Sequence, residues 1–175
     1  MRWYVRTAPA FCEPLTDLSQ SLNIRGTFLA TQKFLKLLPS SDTPAKIITL
    51  TTGAAYQVFP ALSAYGISKL AVLELMAYVA AENPNVVATA LHPGIVDTEM
   101  TEDYFKRFAL DTPELVGGVG VLLAGWEGPD RSLLSGRFVA ANWDVEDLVG
   151  RKEEIVDKEL LKMDLNARLG AEQFE

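Results

Sequence analysis

Histidine and cysteine are almost missing from this chain of 175 residues: His92 and Cys12 are each the single residue of their kind. One histidine excludes an H-E-x-x-H zinc site and leaves a Ser–His triad only His92 to work with. One cysteine excludes an internal disulfide, so a reduced, intracellular setting is the simpler reading. Cys12 has no basic or histidine neighbour in the sequence and reads as a bystander. No G-x-x-x-x-G-K stretch is present. Positive charge is in deficit, with a net charge of −7. That balance argues against nucleic acid and against an anionic membrane surface as partners. No segment is expected to be long and apolar enough to span a bilayer. The opening "MRWYVRTAPAFCEP" carries two arginines but not the continuous apolar stretch of a signal peptide, which makes the cytoplasm the default location.

What is present is a globular composition, 49% hydrophobic and 22% charged, in a length suited to one domain. Internal repeats and low-complexity tracts are missing. Short β-branched or apolar runs at 45–52, 85–94 and 136–143 read as strands. They do not alternate, which predicts a parallel sheet buried on both faces. Helical spacing covers 13–39, about 63–82, 101–110, 112–126 and 144–169, with Asp144 as the N-cap of the last. Residues 1–13 read as an irregular amino-terminal segment. Gly26 costs a helix about 1 kcal/mol against alanine, which points to a close backbone approach there. "VGGVGVLLAG" (116–125) lies in a helical pattern with the wrong spacing for a phosphate cradle, and reads as a small-residue packing face. The expected fold is α/β, a single domain over 1–175 with about three parallel strands flanked by helices.

Tyr65 and Lys69 in "SAYGISKLAVLEL" are four apart and share one helix face. An ammonium beside a phenol favours the phenolate and draws its pKa down from about 10. Such a tyrosine can exchange a proton with a substrate oxygen. Taken alone, the spacing arises by chance in many helices. Its surroundings change the balance. "ITLTTG" puts Thr51 and Thr52 at the carboxyl end of a buried strand, where parallel sheets form their ligand crevice. Asn23 is a polar residue within an apolar helix, and Thr98 follows a Pro-Gly turn after the next strand.

"NIRGTFLATQ", "KIITLTTGAA", "YGISK" and "LHPGIVDTEM" stand in an order and spacing that resemble the short-chain dehydrogenase/reductase family. "GRFVAANWDVEDL" is similar to the tail of fungal members. The resemblance covers nearly all of the chain after about residue 13. It implies the catalytic half of a Rossmann-like three-layer fold, with NAD or NADP as the cofactor. In that likeness Tyr65 is the general acid/base, and Lys69 lowers its pKa and binds the nicotinamide ribose. Asn23 holds a relay water. Thr52 takes the place of the family's serine, keeping the hydroxyl and adding a methyl. Thr98 stands by the carboxamide or pyrophosphate, with Pro93, Gly94 and Ile95 shaping that wall. Gln57 and Ser63 line the substrate side, and a lid brings Met100, Tyr104 and Phe105 to the substrate. The family's Gly-rich turn, ribose reader and "NAG"-like stretch have no counterpart, so the adenosine-binding half is expected to be absent.

Three functions follow as expectations. One is NAD(P)-dependent oxidoreduction of a carbonyl or hydroxyl group on a small organic molecule. Another is nucleotide-free acid–base chemistry, as in an isomerase, dehydratase or cyclase of secondary metabolism. The last is a non-catalytic partner that regulates a full-length relative. Loss of the front half predicts that "KIITLT" becomes an exposed sheet edge. A homodimer or higher oligomer is expected, through that edge or through the helices holding Asn23 and Tyr65. His92, Trp126 and Trp143 read as packing residues, and no metal is expected.

Overall fold

A computed structural model of the chain describes residues 17, 19–99, 101 and 103–164. The segment 1–13, with Trp3 and Cys12, lies outside the described residues, and so does Met100. Strands β1 (Ala45–Leu50), β2 (Val86–His92) and β3 (Arg137–Ala140) form one parallel sheet in the order β1-β2-β3. Ala45 stands opposite Val86 and Leu50 opposite Leu91, while Thr89 meets Arg137 and His92 meets Ala140.

β2 is the centre of the fold, and its sequence shows why. Ala88 and Ala90 are 0% exposed and Leu91 is 2% exposed. The alanines face α2 (Ser63–Glu82) and let its Leu73, Met76 and Val79 pack close to the sheet, together with Phe138. Leu91 faces the opposite layer, where it meets Leu123 of α4 (Pro113–Gly125) and Leu134, Leu148 and Ile155. The result is helices on both sides of a small parallel sheet, the three-layer arrangement that non-alternating strands require. α1 (Thr27–Leu37) lies on the α2 side, with Leu35 and Leu38 against the same cluster. A π-wound segment, Gln20–Gly26, runs into α1 without a break.

Several elements differ from the sequence expectation. The helix over 101–110 shrinks to α3 (Asp103–Lys106). The helix over 144–169 starts as expected, with the Asp144 carboxylate capping the Glu146 and Asp147 N–H groups. It then divides into α5 (Val145–Gly150) and α6 (Lys152–Asp157). The cause lies at β3. Leu161 accepts a hydrogen bond from the Phe138 N–H, and Leu160 accepts one from the buried Arg137 guanidinium. Reaching them takes left-handed backbone at Glu159 and Leu161, with φ of 50° and 64°. Residues 165–169 lie outside the described residues. Gly26 does not mark a close approach but lines an open groove beside β1. A Cβ at Gly117, Gly118, Gly120 or Gly125 would meet nothing within 4 Å, so those glycines form no packing face among the described residues. One helix is long and apolar enough to cross a membrane, contrary to expectation: α2, with 20 residues and a mean hydropathy of 1.3. Its Leu73, Met76 and Val79 are buried against the sheet.

Met76 is 0% exposed at the centre of the α2 layer. Met76→Ala is expected to lower unfolding stability by about 2–5 kcal/mol through lost contacts and a cavity. Urea denaturation followed by tryptophan fluorescence checks this.

Candidate active site

At the carboxyl end of β1 the chain tightens into a 3₁₀ turn, Gly53–Ala55, capped by Thr52, whose hydroxyl accepts from the Ala54 N–H at 3.4 Å. α2 begins beside this turn. A Cβ on Gly66 would come within 2.8 Å of the Ala54 carbonyl oxygen, so only glycine lets the first turn of α2 sit this close. Thr51, 2% exposed, donates its hydroxyl proton to the Lys69 carbonyl at 3.0 Å, joining strand end and helix a second time. These contacts bring the Tyr65 phenol to the Thr52 hydroxyl.

Burial pushes the Tyr65 phenol above its ordinary pKa, and the hydrogen bond with Thr52 offsets part of that. Lys69 donates from Nζ to the Leu50 carbonyl at 3.0 Å, and its Nζ lies 5.9 Å from the Tyr65 ring centroid. Burial lowers the Lys69 pKa. For the Tyr65 phenol burial is the larger influence, and the Lys69 ammonium is turned to a backbone oxygen. The site holds a protonated phenol beside a threonine hydroxyl.

Asn23 sits inside the π-wound segment, a winding that occurs disproportionately at functional positions. Its Nδ2 donates to Ser68 Oγ at 2.9 Å, and Ser68 donates in turn to the Tyr65 carbonyl at 2.8 Å. Asn23 thus reaches the Tyr65–Lys69 turn through Ser68, which is 0% exposed. Sequence reasoning singled out neither Ser68 nor this role for Thr51. The available signal was a small hydroxyl on the inward face of each element.

At the end of β2, Gly94 takes a φ of +79°, and a Cβ there would fall 2.1 Å from Asp111 Oδ2. Asp111 Oδ2 accepts from the Ile95 N–H at 2.7 Å, and the Asp111 N–H donates back to the Ile95 carbonyl at 3.2 Å. Both main-chain groups of Ile95 are thereby engaged. Asp111 also acts on His92: burial pushes the imidazole below its usual pKa, and the Asp111 charge opposes this. The His92 ring packs against Phe138, 5.9 Å between centroids, as a packing histidine does. Thr98 is exposed and pairs its hydroxyl with that of Thr101 at 3.1 Å. Pro93 is half-buried between His92 and this turn. Gln57 is exposed after the 3₁₀ turn, and Ser63 opens α2 half-buried. Phe105 of α3 meets Phe59 edge-on at 6.1 Å, joining the lid region to the loop before α2. Nothing describes the Tyr104 side chain, and Met100 lies outside the described residues.

Thr52, Tyr65, Lys69 and Asn23 are thus brought to one place, and Thr98 is bonded elsewhere. With the Thr52 hydroxyl hydrogen-bonded to it, the Tyr65 phenol keeps its own O–H free to donate to a carbonyl oxygen, where charge develops as it is reduced or enolised. Among the described residues, the Gly94–Ile95 turn and Lys69 are the groups expected at a nicotinamide end, and each makes an internal hydrogen bond, Ile95 N–H to Asp111 and Lys69 Nζ to the Leu50 carbonyl. Among the described residues, the strand that ends nearest the site, β1, is followed by a threonine-capped turn rather than a Gly-rich phosphate cradle.

Comparison with known proteins gives a consistent result. The family model described as short chain dehydrogenase matches residues 7–108. "Short chain dehydrogenase citE" of Monascus ruber is 37% identical over 149 residues, 82% of this chain and 50% of that protein. "Short chain dehydrogenase andI" of Emericella variicolor is 34% identical over 148 residues, 81% of this chain and 49% of that one. The chain spans about half the length of these curated relatives. Among solved structures, the KRED1-Pglu enzyme is 29% identical with a TM-score of 0.58, covering 70% of this chain and 59% of its own. The short-chain dehydrogenase/reductase from Serratia marcescens, 22% identical with a TM-score of 0.62, shares the fold over 74% of this chain and 56% of its own.

The Tyr65 phenol is expected to titrate above the ordinary tyrosine value of about 10. Thr52→Val removes the hydrogen bond that favours the phenolate, so the titration should move further up. Carbon NMR of ring-labelled tyrosine, assigned by Tyr65→Phe, reads both. A Tyr65 that titrates near neutrality would contradict this electrostatic account. The linked sign is definite: a phenol with a raised folded pKa adds stability below its unfolded pKa, lost as pH rises through the folded value.

Proposed function

We propose, for a chain that belongs to the short chain dehydrogenase family, that it acts on a carbonyl or hydroxyl group of a small organic molecule, with Tyr65 as the general acid. The observation that carries this reading is the protonated Tyr65 phenol paired with the Thr52 hydroxyl at the carboxyl end of β1. In the forward sense the Tyr65 O–H points at a substrate carbonyl oxygen and gives up its proton, and the Thr52 hydroxyl donates to the tyrosinate oxygen that remains. In reverse Tyr65 takes a proton from a hydroxyl. Lys69, a half-buried ammonium whose pKa is lowered, stabilises the tyrosinate that remains. Asn23, through Ser68, holds the backbone of the same helical turn. NAD or NADP is the cofactor that members of the family usually bind. The substrate class proposed is a secondary metabolite, and the similar proteins are short chain dehydrogenases of fungal species, such as citE of Monascus ruber.

A redox-neutral version, isomerisation or dehydration without a nucleotide, is favoured by one specific observation. The Ile95 N–H and carbonyl are already bonded to Asp111, which leaves the nicotinamide wall occupied by the chain itself.

Two measurements decide between them. Tyr65→Phe keeps the ring and removes the proton. Turnover of a responsive carbonyl compound should fall about 10²–10⁴-fold, the range of a lost general acid. Unchanged turnover would eliminate Tyr65 as the acid. Titration with NADH and NADPH, read through quenching of the chain's three tryptophans, separates the versions. Saturable binding assigns hydride transfer. No binding at millimolar nucleotide assigns redox-neutral chemistry to this chain.

A further inference from the structure

The phenol and hydroxyl described above lie at the carboxyl end of the sheet. A cavity of about 480 Å³ opens at its amino end. That volume falls in the range of small-molecule pockets, about 300–1,000 Å³. The last turns of α2, the entry of β2, the turn ahead of β3 and Lys162 enclose it. None of the residues that surround Tyr65 lines it. The cavity persists because its helical wall is short: Ala77, Ala80 and Ala81 offer methyl groups and no more. Gly136, in left-handed backbone at a φ of 72°, brings the β3 turn against that wall. A Cβ on it would stand 3.3 Å from the Ala80 Cβ and 3.5 Å from the Ala77 Cα.

Its polar groups divide into spent and unspent ones. Ser135 Oγ accepts from the Ala88 N–H at 3.2 Å and donates to the Val86 carbonyl at 3.3 Å, so it extends the ladder of β2 before β3 begins. Asn85 Nδ2 donates to the Thr43 carbonyl at 2.7 Å. Ser132, exposed, makes no side-chain hydrogen bond among the described residues. Lys162, 33% exposed at its side chain, pairs with Glu159, and the Glu159 carboxylate also lies 3.5 Å from the Arg137 guanidinium. Arg137 gives its other donors to main-chain carbonyls. Two cations therefore share one carboxylate, and one positive charge is left over in a chain whose net charge is −7.

We propose that this cavity binds a small organic carboxylate, with the anionic end on the Lys162 ammonium and the Ser132 hydroxyl and the apolar body against Ala77, Ala80 and Val86. One surplus charge and one free hydroxyl suit a monoanion. A phosphate dianion wants a second cation or a nest of main-chain N–H groups, and the nearby Ala88 N–H is already bonded to Ser135. The occupant rests on the last turns of the helix whose first turn carries Tyr65. The site is separate from Tyr65 and does not depend on the chemistry there.

Amide NMR of the full chain titrated with benzoate, against benzamide as the uncharged probe of the same shape, tests this. Benzoate at millimolar concentration should shift the Ala80, Ser132 and Gly136 amides saturably and leave those of Thr52 and Tyr65 in place. Lys162→Met keeps the stem and removes the charge. It should weaken benzoate about 10-fold, the loss of one charge-assisted hydrogen bond. Ala81→Leu, at an exposed position, should fill the cavity and abolish the shifts while the rest of the spectrum stays that of the folded chain. Absence of saturable shifts at those amides overturns the proposal. So does an equal response to benzamide, or an affinity unchanged in Lys162→Met. Shifts confined to Thr52 and Tyr65 overturn it as well and assign the carboxylate to the active site.

Discussion

The burial of β2 on all four of its sides is the constraint on which the rest depends. A parallel strand has no short route to its neighbour, so each flanking strand obliges a crossover, and each crossover lays a helix over a face. Ala88 and Ala90 give one face the shallow surface that a close helix needs, and Leu91 gives the other a projecting one. With β2 enclosed, the carboxyl ends of β1 and β2 emerge side by side. Thr52 and the Gly94–Ile95 turn follow from that placement rather than from any contact of their own.

Precision at the site comes from the junction between β1 and α2. Three unrelated contacts meet there: the close approach at Gly66, the Thr51 hydroxyl on the Lys69 carbonyl, and the Lys69 ammonium on the Leu50 carbonyl. Each ties the strand to the helix, and together they leave Tyr65 little freedom relative to Thr52. The electrostatic outcome is set by the same closeness. Groups this near the sheet lose water, and for a phenol that loss keeps the proton on.

Much of this was legible in the residues. Non-alternating apolar runs predict buried parallel strands, and β1, β2 and β3 formed where such runs lie. The helical pattern over 112–126 became α4, and Asp144 marked the start of α5. Tyr65 and Lys69 stood out by spacing, the family resemblance added the roles of Thr52 and Asn23, and the fold places all four around the β1–α2 junction. What stayed hidden depends on tertiary partners. Nothing local announces that Leu161 must bond to Phe138, which is why an apparently continuous helix divides. Nor does spacing reveal whether a lysine will face a phenol or a carbonyl, because both lie within reach of one helical turn. Asp111 was not singled out, because its tie to Ile95 spans a loop that no periodicity describes.

The excursion between Thr52 and Tyr65 has a consequence for how such a protein can diversify. Its ends are clamped together, while its middle stands out in solvent, with Val58 96% exposed and Ala61 in left-handed backbone at a φ of 74°. Changes in length or side chain along that arc are insulated by the clamp from the junction that holds Tyr65 beside Thr52. The exposed arc can drift while the junction stays put, so a lineage built on it varies its surface by rewriting a loop without disturbing the strand-to-helix contact.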